Sequence, residues 1–177
     1  MKQLLFAFFI IAAVGGIMTS CQNNNDNTLA LEKRITELED RAAIKNLVDT
    51  FATLSDTKEA ELQSTLFTED GTVKTYSDGQ LAADLKGRKQ IAEVFGNFLN
   101  TLQTVYHQSG QLTVTIDGNK ATGVNYCQVT MIGEFNGTKT ITMQGVRYND
   151  EYEKINGRWY IKNRVSNFMW RDVRPMQ

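Results

Sequence analysis

The sequence predicts a single α+β domain in which three N-terminal helices pack on a strongly curved antiparallel sheet that leaves an apolar pocket between its concave face and the helices. Three observations carry that prediction. Apolar residues recur three and four positions apart through the first half, they alternate through the second half, and Asx-Gly pairs punctuate the alternating runs. Helices first and strands afterwards argue for segregated elements rather than an alternating, parallel α/β sheet.

Met1-Lys2-Gln3 precedes an unbroken apolar run, Leu4 to Val14, which closes through small residues on Ser20-Cys21. The run is shorter than the ~20 apolar residues a spanning helix needs, and one positive charge precedes it. It reads as an export signal over residues 1–20 and resembles a bacterial lipoprotein signal, which implies that Cys21 is lipidated and holds the chain to a membrane. A signal cleaved nearby without lipidation is the alternative. Residues 21–30 then form a tether, since Gln22 to Asn27 offers no apolar side chain to bury. The absence of aspartate directly after Cys21 points to the outer membrane of the cell envelope.

The domain occupies 31–177. Leu31, Ile35, Leu38, Ala42, Ile44, Leu47, Val48 and Phe51 mark one long amphipathic helix, ended by Asp56-Thr57. Lys58 to Phe67 is a short second helix with Leu62 and Leu66 inward. Gly71 to Lys86 reads as a hairpin turning at Ser77-Asp78-Gly79. Arg88 to Leu102 is the third helix, with Ile91, Val94, Phe95, Phe98 and Leu102 on one face. Strands follow over Leu112–Ile116, Ala121–Ile132, Thr140–Tyr152 and Arg158–Trp170. They are joined by Asx-Gly turns at 117–118, 136–137 and 156–157, the pattern of an antiparallel meander.

Composition narrows the function. Lys and Arg number 19 against 20 Asp and Glu, with no block of either sign, so no surface suited to tracking a phosphate backbone is expected and nucleic acid is not a partner. The only cysteines are Cys21 and Cys127, too few for a disulfide framework or a cysteine metal site. Cys127 sits in an alternating run and reads as a buried structural thiol. His107 is the only histidine, so acid/base chemistry near neutral pH rests on it. It falls between the third helix and the first long strand; a lone, hydrogen-bonded structural histidine is the competing reading.

Element order and residues together resemble the SnoaL-like domain of the nuclear transport factor 2-like superfamily, which implies a cone of curved antiparallel sheet around an internal pocket. The resemblance spans about Leu31 to Val173. It rests on Ala43-Ile-Lys-Asn-Leu47, the Asp56–Phe67 segment running into Leu66-Phe-Thr-Glu-Asp-Gly71, Gly87, His107, Ile116-Asp-Gly-Asn119 and Tyr152-Glu-Lys-Ile-Asn-Gly-Arg-Trp-Tyr-Ile161. Tyr76-Ser-Asp-Gly-Gln-Leu81 and the Tyr-Glu-Lys-Ile block make it similar to the branch containing bile-acid 7α-dehydratase.

The resemblance implies a pocket histidine, His107, paired with an aspartate, Asp56, as general base or acid. It also implies a pocket tyrosine, Tyr76, that donates to a carbonyl or a leaving hydroxyl. Such a pair suits proton abstraction beside a carbonyl, because the carboxylate fixes the tautomer and stabilises the imidazolium. Phe51, Tyr106, Asn125 and Tyr126 are further pocket candidates. Phe51 stands where the family usually has a tyrosine, Asn125 where the fungal scytalone dehydratases have a second histidine, and no arginine is matched within Val165–Trp170. The implied activity is a dehydratase or isomerase acting without metal or organic cofactor on a small apolar, steroid- or polyketide-like carbonyl compound. The alternative is a lipoprotein that binds a hydrophobic ligand without turnover, or forms a homodimer through its sheet.

Overall fold

The computed structural model describes residues 14–176, with side chains from Asn25 onward. The apolar run expected as a signal and the side chain of Cys21 lie outside the described residues. No described helix is long and apolar enough to cross a membrane. The element order is α1 (Val14–Asp56), α2 (Ala60–Ser64), β1 (Phe67–Ser77), β2 (Gln80–Lys86), α3 (Gly87–Asn100), β3 (Leu102–Asp117), β4 (Lys120–Phe135), β5 (Thr138–Ile155) and β6 (Arg158–Pro175).

The chain divides into two units at Glu39/Asp40. In the first, every side chain from Asn25 to Glu39 is exposed, Leu31, Ile35 and Leu38 included. The backbone of Gln22 to Asn27, read from sequence as tether, belongs to the helix α1, which begins well before Leu31.

In the second unit the helix turns apolar, and Ile44, Leu47, Val48 and Phe51 are buried. The six strands form one open sheet in the order β2-β1-β6-β5-β4-β3. The sheet is mixed, a correction to the antiparallel expectation: β1 runs parallel to β6, and the other pairs are antiparallel. That pair follows from the chain returning through α3 and three strands before β6 closes on β1. Two buried clusters fill the interior. One gathers Ile44, Val48, Phe67, Ile91, Tyr152 and Trp159, and the other Leu99, Val105, Cys127, Val129, Val146 and Tyr148.

The turns obey the Asx-Gly pattern. Asp78-Gly79, Asn136-Gly137 and Asn156-Gly157 all have positive φ at both residues, the type I′ signature. At Asp117-Gly118 only the glycine does. Two features bear on the site. First, β3 begins at Leu102, ten residues before the alternation shows, so His107 lies within a strand rather than at its start. Residues 103–110 are mostly exposed and, apart from buried Val105 and the outward Tyr106, mostly polar; β3 is the sheet's edge, and register shifts between Ser109 and Leu112. Second, β6 carries two bulges. Lys162 is the extra residue where pairing slips between Glu151 and Tyr152, and Met169 where it slips between Gly145 and Val146. Each changes which residues of β6 face inward.

Candidate functional site

Helix α1 ends on Asp56, whose carboxylate meets the middle of β3. It accepts the main-chain N–H of His107 at 3.0 and 3.2 Å, and its Oδ1 lies 2.6 Å from His107 Nδ1. A carboxylate can only accept, so the proton resides on Nδ1 and the lone pair on Nε2. The His107 side chain is 7 % exposed. Burial pushes its pKa below the usual histidine value; the Asp56 hydrogen bond and charge oppose this, and the Arg164 cation reinforces it. At neutral pH the ring is therefore a neutral, oriented base.

His107 lines a cavity of about 500 Å³ whose walls are mainly apolar. Phe51 of α1, Val73, Thr75 and Ser77 of β1, Phe95 and Phe98 of α3, and inward residues of β3 to β6 enclose it. Its size suits a drug-sized molecule. No aspartate or glutamate lines it; the charged or titratable side chains there are His107, Tyr148, Arg164 and Arg171.

Arg164 is 1 % exposed and held from two sides. Nε and Nη2 donate to the two oxygens of Asp150 at 2.8 and 2.7 Å, and Tyr152 donates its hydroxyl to the same carboxylate at 2.9 Å. The guanidinium carbon lies 4.1 Å from the centre of the Phe51 ring and 4.4 Å from that of Tyr148. Burial disfavours the arginine's charge, but the Asp150 carboxylate outweighs it and keeps the group cationic. Nη1 is buried with no partner among the described residues. Gln63 presents the complementary orphan. Its Nε2 donates to the Phe51 carbonyl at 2.9 Å, which fixes the amide's orientation, and leaves buried Oε1 unpartnered. Arg164, Gln63 and His107 thus all line one mainly apolar cavity, and the first two each keep one buried polar atom without a partner among the described residues. Among the described residues no group of three or more His, Cys, Asp or Glu is placed to hold a metal ion.

Of the residues singled out from sequence, His107, Asp56 and Phe51 come together here. Tyr76, Tyr106 and Tyr126 do not, and this corrects the expectation. Tyr76 lies on the face of β1 opposite Val73, Thr75 and Ser77, against Arg147 and Asn167. Tyr106 and Tyr126 point outward, 54 % and 46 % exposed, because each neighbours an inward residue in a strand of period two. Asn125 is buried on the inward side of β4, but it does not line this cavity. Cys127 is a buried free thiol whose pKa burial raises to about 11, so it stays protonated and inert.

The residues missing from the sequence reading are Arg164, Gln63 and Arg171. Counting in twos from buried Trp159 and Ile161 puts Asn163 and Val165 inward and Arg164 outward. The Lys162 bulge reverses that parity, so the pocket arginine lies one residue before the window searched. The one available signal was a charged residue flanked by polar Asn163 and apolar Val165, too weak to place a bulge. Gln63 sits in a five-residue helix whose face sequence periodicity cannot define.

A model of the SnoaL-like domain matches residues 36–165. Among solved structures, the chain is similar to a candidate scytalone dehydratase from Novosphingobium aromaticivorans, with a TM-score of 0.69, 16 % identity, and 80 % of this chain and 92 % of that one covered. It is also similar to an NTF2-like protein with a cystatin-like fold from the same organism, at TM-score 0.65, 27 % identity and coverage of 78 % and 88 %. A type 2 form of the hexachlorocyclohexane dehydrochlorinase LinA aligns at TM-score 0.64 and 18 % identity, over 80 % and 91 % of the two chains.

Proposed function

The chain belongs to the SnoaL-like domain family, and from that premise we propose that it is a cofactor-independent lyase that removes water or another small leaving group from an apolar, steroid- or polyketide-like carbonyl compound. The observation that carries this reading is the neutral His107, oriented by Asp56, lining an apolar cavity that Arg164 also lines, its buried Nη1 without a partner among the described residues. Nε2 of His107 takes the proton from the carbon next to the carbonyl. Asp56 stabilises the imidazolium that forms; the enolate then re-forms the carbonyl as its bond to the β-substituent breaks, and the imidazolium returns the proton when that substituent is a hydroxyl leaving as water. Arg164 Nη1 donates to the oxygen on which negative charge develops, in a site where a fixed donor is worth more than in water. Gln63 Oε1 accepts a hydrogen bond from a hydroxyl of the bound molecule. Neighbours of the same fold named as a candidate scytalone dehydratase and a dehydrochlorinase add support for elimination as the reaction type.

The test is deuterium uptake at the α-carbon of a panel of steroid and aromatic β-hydroxy ketones in D₂O, followed by proton resonance. Exchange or elimination that falls ~10²-fold or more in His107→Ala supports the base assignment. Equal rates in the variant would overturn it.

A second reading, binding without turnover, is favoured by one observation: Asp56 also accepts the main-chain N–H of His107 and so pins β3 to the end of α1 whatever the ring does. It expects saturable binding of apolar ketones with no exchange in either protein. The proposal further places the chain at the outer membrane through lipid on Cys21, carried by the Leu4–Val14 run before it. Incorporation of an alkyne-tagged fatty acid that disappears in Cys21→Ala is the expected result. Homodimerisation through the sheet's outer face is the remaining part of this reading, and a molecular mass of one chain in solution would remove it.

A further inference from the structure

Four side chains that line the cavity stand on a single cross-strand row. His107 pairs with Val129, Val129 with Gln144, and Gln144 with Arg171. Paired residues of antiparallel strands point to the same face, so the base and Arg171 close the two ends of one row, roughly 14 Å apart along the sheet at ~4.8 Å per strand. Between them lie Val129 and the neutral amide of Gln144. The Met169 bulge is what turns Arg171, rather than Trp170, inward at this row.

The two ends differ in access. At the His107 end the ring is almost fully covered, whereas Arg171 is exposed, as are Phe98 and Phe135, which line the cavity with it. Arg171 therefore stands at the mouth. Charge then distinguishes it from Arg164. Asp150 neutralises Arg164, and no carboxylate lines the cavity to do the same for Arg171. Its sequence neighbour Asp172 alternates to the other face and pairs with Arg174 at 3.1 Å. No ion pair or side-chain hydrogen bond among the described residues engages the Arg171 guanidinium. The cavity thus has an apolar body and one uncompensated positive charge, placed at its mouth.

We propose that the natural ligand is an amphipathic acid: an apolar skeleton whose carboxylate is held by Arg171 at the mouth, while the opposite end carries the carbon that His107 addresses. This rests on the cavity reading above and deepens it by fixing the ligand's charge and direction. An arginine fork matches a carboxylate bidentately, and orienting the molecule end-on aligns its far end with Nε2. Arg171 is a positioning residue, since it holds a group remote from the reacting atoms.

The experiment uses a probe pair that differs only in charge. Pyrenebutyrate and its methyl ester are titrated into the purified protein and followed by pyrene fluorescence, with each displacing the other to establish a shared site. The expected result is that Arg171→Gln weakens the acid about threefold or more and leaves the ester unchanged, that Arg171→Lys retains most of the acid's affinity, and that the acid's advantage shrinks at 1 M salt. An acid affinity indifferent to Arg171→Gln, with the ester still bound, would overturn this inference and leave the cavity reading standing. Equal loss of both probes, or probes that do not compete, would overturn it too. Failure of both probes to bind the unaltered protein would remove the cavity reading together with it.

Discussion

Helix α1 of the folded unit carries a carboxylate at each end, and the two do opposite things with similar parts. Asp40 lies in the interior surface of the helix, accepting from Lys154 Nζ at 2.6 Å and from Trp159 Nε1 at 2.8 Å. Both donors end there, so the network is closed. Asp56, sixteen residues on and roughly 24 Å away at 1.5 Å per residue, accepts from a histidine whose second ring nitrogen is still unspent. The comparison teaches that burial and pairing alone do not mark a working carboxylate. What marks it is whether its partner retains a reactive atom facing a cavity.

Breaking the Asp56 end should change rate, and breaking the Asp40 end should change stability. The largest effect expected is the loss of ~10²-fold or more in His107→Ala described above, measured per folded molecule and so separate from any shift in the denaturant midpoint. Next comes Asp40→Ala, which strands a lysine and an indole N–H and should cost about 2–3 kcal/mol in urea unfolding, with activity per folded molecule retained. A loss of activity at unchanged stability would erase the distinction between the two ends.

Acidity sharpens it further. Burial raises the Asp40 pKa, but the Lys154 and Trp159 hydrogen bonds and the Lys154 charge outweigh this and hold it below the ordinary aspartate value. Its contribution is therefore full above ~pH 4 and is lost as pH falls through the lower folded value. The stability gap between the unaltered protein and Asp40→Asn should close below ~pH 4; a gap constant with pH would contradict the ion pair. His107, also depressed, gives the same sign at a higher pH: stability falls as pH drops below ~6.5, and base activity falls as pH passes through the lower folded pKa. The smallest effect is the position of that acid limb. Asp56 opposes the depression, so Asp56→Asn should move the limb of the pH–rate profile to lower pH while lowering the plateau.

The same contrast explains what the sequence made legible. Helix α1 beyond Asp40, α3, the type I′ turns and β4 to β6 could all be read, because each buries one face against a partner and so displays its period. The His107–Asp56 pair came through resemblance, and the geometry joins them. Residues 103–110 hid their strand character because an edge strand facing water has no apolar alternation to show. Tyr106 and Tyr126 were misassigned because a tyrosine's chemistry says nothing about which face of a strand it takes. Arg164 stayed hidden because the Lys162 bulge is a backbone event with no residue signature.

That bulge has a consequence for how such chains diversify. An extra residue in β6 leaves the overall hydropathy of the strand almost untouched, yet whether it is looped out as a bulge or kept in the pleat decides which set of side chains the strand presents to the lumen from that point on. With Lys162 kept in the regular pleat, Asn163 and Val165 would take the places now held by Arg164 and Ser166, and Asp150 would lose its cation, whereas deleting Lys162 would straighten the strand and leave Arg164 opposite Asp150. The lumen's chemistry can therefore be rewritten by where the strand loops out its extra residue, with no change to any coding triplet for a lining residue.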